Sequence, residues 1–288
     1  MTRLLAWFFG TVLSCSCAAQ PYLDVGAASF THSPARLDRA ELALALPLSL
    51  GKGKIILSPL WENWQAQLPQ RTAFPEKTTE SLTGFILPVT WLTPMRNARW
   101  KFLLTGLVRY NTLDNMERSS LQPGGALLLT YGKKPSLTWK AGFYANRDAF
   151  GIFWLPLLGI DWRVGPKLNV WGILPGSMHA EHKVLRWLHW GFVFKAFTNS
   201  YGERGGFFAR TDENQVGLFT DTYLMGARAV LRLEGGHTAF SQYQGGPGHP
   251  RYSFHGSDGY VDHELGDGPY FKVMLAYRVR LDGQHGPN

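Results

Sequence analysis

Apolar residues recur at every second position through nearly the whole chain. Between Ile152 and Arg163 the even positions Ile152, Trp154, Pro156, Leu158, Ile160 and Trp162 are all apolar, while the odd ones pass from Phe153, Leu155 and Leu157 to Gly159, Asp161 and Arg163. Period-two alternation marks a β-strand, because successive side chains point to opposite faces; a helix would spread the same residues around its circumference. Leu42, Leu44, Leu46, Leu48 and Leu50 repeat the pattern against Glu41, Ala43, Ala45, Pro47 and Ser49. Further on, Leu137, Trp139, Ala141, Phe143 and Ala145 oppose Thr138, Lys140, Gly142, Tyr144 and Asn146.

Taken in order, the alternation predicts strands near 23–30, 41–50, 54–65, 80–92, 100–111, 126–131, 137–146, 152–163, 168–174, 178–184, 188–198, 215–224, 229–240 and 271–281. Trp61 and Trp64 are expected to girdle the far end of the third, and the two faces of 80–92 are too alike to fix its register. Short connections alternate with long polar ones, except at Pro175-Gly176, which is short where a long loop is due. The segments on either side of it therefore read as separate strands, as one interrupted strand, or as an extension above the rim.

The expectation is an all-β chain, a transmembrane antiparallel up-and-down β-barrel of about 12–14 strands, with one face of each strand toward lipid and the other toward a polar interior. The same alternation suits a secreted sandwich or a water-soluble barrel. Such a fold would have to turn the isolated charges outward and the leucines inward, which leaves few polar outer faces. No apolar run after residue 19 reaches the ~18–20 residues of a transmembrane helix, so a membrane passage would be made with strands.

Residues 1–19 have the order of a secretory signal: Arg3, an apolar Leu4–Leu13, then small residues to Ala19. The domain organisation expected is a signal peptide over 1–19 and an outer-membrane barrel over 20–288, in a Gram-negative bacterium. Both cysteines, Cys15 and Cys17, fall in the first part, so a chain cut after Ala19 has no disulfide; a lipid on Cys15 is the alternative. Of 29 Lys and Arg, Arg3 leaves with the signal, so 28 bases face 21 acids, a net charge of +7. The bases are scattered singly along strands and turns rather than gathered in a stripe, which argues against nucleic acid.

The run 153–162 (FWLPLLGIDW), followed by 171–175 (WGILP), 196–201 (AFTNSY) and 210–218 (RTDENQVGL), is similar to a family of uncharacterised outer-membrane β-barrel proteins from Bacteroidota. The resemblance is firmest over 140–240. It implies a barrel and an outer-membrane address and lends no activity.

The charged side chains assigned to the inner face are Glu41, Lys101, Arg109, Lys140, Asp161, Arg163, Glu181, Lys183, Lys195, Arg232, Glu234, Lys272, Arg278 and Arg280. Charges of both signs inside a barrel either pair and fix the wall or line a path for solute, and the excess of bases gives a weak preference for anions. The functions open at this point are a narrow channel or transport barrel for small, anionic solutes, and a non-conducting barrel acting structurally or through its loops. A third is a lipid hydrolase, since 255–259 (HGSDG) echoes the His-x-Ser-Asn-Gly signature of outer-membrane phospholipases, with Asp258 in place of the asparagine and Ser257 as nucleophile. His179 and His182 fall on opposite faces of a strand and cannot share a metal, and no cofactor motif is present. The partners implied are outer-membrane lipid, the outer-membrane insertion machinery and, for a conducting lumen, small solutes.

Overall fold

The computed structural model describes residues 22–32, 35–67, 79–112, 121–149, 151–202, 207–247, 261–264 and 266–278. The signal segment, Arg280 and the Ser257 motif lie outside these residues.

The strands are β1 (Tyr22–Thr31), β2 (Arg36–Leu50), β3 (Gly53–Leu57), β4 (Leu60–Gln67), β5 (Thr79–Pro94), β6 (Trp100–Thr112), β7 (Leu121–Lys134) and β8 (Leu137–Asp148). They continue as β9 (Gly151–Arg163), β10 (Leu168–Leu174), β11 (Ser177–Lys183), β12 (Leu188–Gly202), β13 (Phe207–Leu224), β14 (Ala229–Pro247), β15 (Val261–Glu264) and β16 (Pro269–Arg278). Each wall strand pairs antiparallel with its neighbours. β16 closes the ring on β1, and β1 pairs with β2. β3 and β4 are two pieces of one wall strand, since β2 and β5 flank both. The break falls at Ser58-Pro59, where proline has no N–H to give the ladder. With β15 paired only to β14, the ring is a closed 14-strand barrel. An even count is what lets the first and last strands meet antiparallel, so that no edge is left open.

Along most wall strands one face is apolar and exposed. Trp154 and Leu158 are each 65% exposed, Leu218 59% and Leu275 50%, whereas the intervening Phe153, Leu155 and Leu157 are buried. So large an apolar outer surface is unsustainable in water and is what a lipid-facing wall requires. Among the described residues no helix is long and apolar enough to cross a membrane, and the strands make the passage. Trp91, Trp139, Trp162, Trp187, Trp190 and Tyr277 are exposed near the short-turn end, the position of an interfacial aromatic girdle.

Two readings change, at Trp64 and at the β8–β9 connection, and two open ones are settled. The segments around Pro175-Gly176 are two distinct wall strands of seven residues each, β10 and β11. Instead of rising above the rim they stop below it: Leu174 faces Leu158, while β9 continues to Gly151. Trp64 is not a girdle residue; it shares inward parity with Leu60 and Glu62, is 3% exposed and stacks on Phe30 at 5.5 Å. The β8–β9 connection, due to be long, is short, since β8 runs on to Asp148 and β9 begins at Gly151 with the alternation unbroken. The register of 80–92 is settled by burial, with Leu82, Ile86 and Thr90 inward and Phe85, Leu87, Val89 and Trp91 outward.

Candidate functional site: the barrel interior

Inward side chains divide the interior into two halves. On β5 to β10, with Leu60 of β4, Ile86, Leu103, Leu107, Leu128, Tyr144, Phe153, Leu155, Leu157 and Ile173 form one buried apolar cluster, beside which Arg109, Lys140, Asp148 and Asp161 also face inward. On β12, β14, β16, β2 and β4 they are charged and paired. Lys195 donates to Glu234 at 2.6 and 2.9 Å, and the Tyr270 hydroxyl donates to the same carboxylate at 3.1 Å. Lys272 reaches Glu41 at 2.6 Å, Arg39 lies 3.0 Å from Glu41 and donates to Glu62 at 2.7 Å, and its guanidinium sits 4.9 Å over Trp64.

The two lysine pairs step across an intervening strand. Lys272 on β16 meets Glu41 on β2 over Gly26 of β1, where an added Cβ would sit 2.7 Å from the Glu41 carboxylate. Glycine is there because the ion pair occupies the space a side chain would take. Each of these charges thus has an opposite charge beside it, the condition under which burial is tolerated.

The other inner charges behave as follows. Arg232 grips Asp221 through two bonds of 2.7 Å, and its guanidinium lies 4.2 Å over Phe219. Lys140 pairs with Asp161 at 2.7 Å and Glu181 with His189 at 3.1 Å. Arg109, 2% exposed, donates to Tyr144 at 3.3 Å and lies 3.6 Å from Asp148. Lys101, Arg163, Lys183 and Arg278 have inward parity but are exposed at the short-turn mouth, where Arg163 donates to the Pro135 carbonyl at 2.8 Å. His179 stacks on Trp171 inside, and His182 packs on Trp190 outside. Among the described residues no group of His, Cys, Asp or Glu is placed to hold a metal.

At the long-loop end β12 leaves the wall. Up to Lys195 its residues alternate between covered and exposed; from Ala196 to Gly202 every one is buried, so both of its faces are covered. Gly202 meets Thr112 of β6, on the far side of the ring, in a single parallel bridge. Along the way the Ser200 carbonyl accepts from Asn111 and Gln122, each at 2.9 Å, and the Ser200 hydroxyl donates to Asp148 at 3.0 Å. Asn199 donates to Glu62 at 3.4 Å and Thr198 to Asp212. The first turns of β13 follow, paired with β12 from Gly202–Phe208 downward.

On the opposite side this inner segment is held by apolar contact. Phe197, Tyr201, Ala209 and Tyr243 pack with Phe30, Leu37, Trp64, Leu82 and Tyr270 in a second buried cluster. The bend in β13–β14 is a bulge: register shifts between Asp212 and Asn214, and Phe240 takes φ 58°. A bulge adds a residue to one strand and sharpens its turn, which carries the outer half of both strands inward. Glu213, at the bulge, accepts from Nε2 of His32 at 3.2 Å, while Nδ1 of His32 faces the Gly266 carbonyl at 2.8 Å.

A plug segment made from the chain's own wall strands therefore crosses the interior. The sequence places Phe197 to Tyr201 at the end of a strand and in a loop, and gives Arg39, Glu62, Asp148, Asp221 and Glu213 no inner role. The available signal is the loss of alternation after Lys195, where a run of uncharged residues replaces it. A strand wetted on one face would not carry such a run.

No family model matches the chain, and no curated protein is similar to it. Among solved structures, the NanC porin matches with a TM-score of 0.43 at 7% identity, over 89% of this chain and 100% of that one. The KdgM porin gives 0.38 at 8% identity over 90% and 99%. The siderophore receptor PirA from Pseudomonas aeruginosa gives 0.32 at 11% over 92% and 67%. At these scores the likeness adds nothing to the closed antiparallel barrel already read from strand pairing.

Proposed function

We propose that this chain is an outer-membrane transport barrel of a Gram-negative bacterium, closed at rest by its inner β12–β13 segment and passing small solutes when that segment moves aside. The observation that carries the reading is asymmetry in how the plug is held. Toward β6, β7 and β8 it is fastened by the bonds of Ser200 and one bridge; toward β1 to β5 it is packed through Phe197 and Tyr201, with only the long contacts of Asn199 and Tyr201 to Glu62, at 3.4 and 3.5 Å, added to the packing. Hydrogen bonds exchange for water at a net loss of only about 0.5–1.5 kcal/mol each, whereas apolar contacts have no substitute in water. The polar side is the one that opens, with the apolar side as the hinge.

Inside the barrel the bases are held in ion pairs with acids, so selectivity falls to the mouth. Lys101, Arg163, Lys183 and Arg278 are exposed there. A ring of bases favours anions. The test is the reversal potential of single openings in a planar bilayer under a potassium chloride gradient, which is expected to report chloride preferred over potassium. A folded barrel that never conducts at any voltage would overturn the channel and leave a structural barrel in its place.

A further inference from the structure

We propose that the short-turn end of the barrel is a collar that binds the anionic headgroups of membrane phospholipids. The inference rests on the reading of the chain as a membrane barrel with its short turns at one membrane surface. Each of the six short turns carries a base: Lys52, Arg96, Lys133, Lys167, Arg186 and Arg228. All six side chains are exposed. None of the segments 51–54, 95–99, 132–136, 164–167, 184–187 and 225–228 contains an Asp or Glu. The connections at the other end are mixed in sign, with Glu76, Asp114, Glu117 and Glu203 in their sequence.

A second observation fixes the depth of these bases. Trp91, Trp139, Trp162 and Trp187 are exposed on the lipid face of the same end, within a few residues of the turns. Tryptophan settles at the boundary between acyl chains and headgroups. The turns just beyond it therefore lie at the level of the phosphates, where each Lys or Arg near an anionic surface gains about 1 kcal/mol, roughly a fivefold effect on occupancy. Six such bases around one rim, with no acid among them, favour a lipid carrying net negative charge over a zwitterionic one, whose phosphate is offset by its own cation. A soluble acidic partner would need the charge but not the tryptophans, and would be insensitive to acyl chains.

The tryptophans also supply the readout. The full chain is reconstituted in phosphatidylcholine vesicles, and bromine-labelled phosphatidylglycerol or bromine-labelled phosphatidylcholine is titrated in while tryptophan fluorescence is followed. Quenching by the phosphatidylglycerol is expected at about fivefold lower mole fraction, a preference that collapses in about 0.5 M salt, where the Debye length falls to a few ångströms. The variant with Lys52, Arg96, Lys133, Lys167, Arg186 and Arg228 all changed to Gln is expected to quench equally with both lipids. Equal quenching in the wild type, or a preference that survives high salt, would overturn the proposal; the salt series decides the matter even if the variant fails to insert. A barrel that conducts without any lipid preference sinks the collar and leaves the transport reading standing.

Discussion

At the scale of the residue, the interior depends on charges that satisfy one another. Glu234 is 1% exposed and accepts from both Lys195 and Tyr270, with Lys272 and Arg232 close by. Removing one partner of a buried pair leaves the other uncompensated, which costs about 3–5 kcal/mol, while replacing both with apolar groups of like volume is close to neutral. Glu234→Ala is therefore expected to lower the unfolding free energy of the refolded barrel, read from a urea titration, by about that amount with a lower midpoint, and the double change Lys195→Met with Glu234→Leu to recover most of it. If the single change leaves the midpoint where it was, the pair is not what holds this part of the wall. The sequence shows Lys195 and Glu234 facing inward, because alternation fixes parity. It does not show that they meet across β13, because reach over a strand depends on register and on small residues such as Gly217, which only pairing reveals.

At the scale of the element, the plug is fastened from outside the strands by His32 in the β1–β2 connection. Its two ring nitrogens face two acceptors, the Gly266 carbonyl and the Glu213 carboxylate, so both need a proton and the imidazolium is the form that fits. Burial opposes that charge, but the hydrogen bond and the charge of Glu213, with Asp267 nearby, outweigh it and raise the group above its ordinary value. A raised histidine holds its contact fully below the ordinary value of about 6.5 and loses it as pH climbs through the raised one. Open probability is expected to rise with pH across the range above about 6.5, and to become flat in His32→Gln. A His32→Gln channel with the same pH dependence would remove the latch. None of this is legible in the chain order, since His32 and Glu213 are 181 residues apart and nothing local in either marks the other.

At the scale of the whole molecule, the barrel itself is legible: outward leucines and tryptophans, short turns and single inward charges place nearly every wall strand within a few residues of its observed bounds. The main failure has one cause. Period-two patterning describes a strand with one face in lipid and one in the lumen. It holds even for the short β10 and β11, and fails for the outer part of β12, which has the lumen on both sides.

The central claim is that this inner part of β12 closes the barrel and that its movement opens it. A chain cut after Ala19 has no cysteine. Thr112→Cys with Gly202→Cys therefore introduces the sole pair, at the one bridge between plug and far wall. In a planar bilayer the oxidised double variant is expected to be silent and to regain the openings of the wild type when a reductant is added. Oxidised channels that conduct as freely as reduced ones would contradict the account.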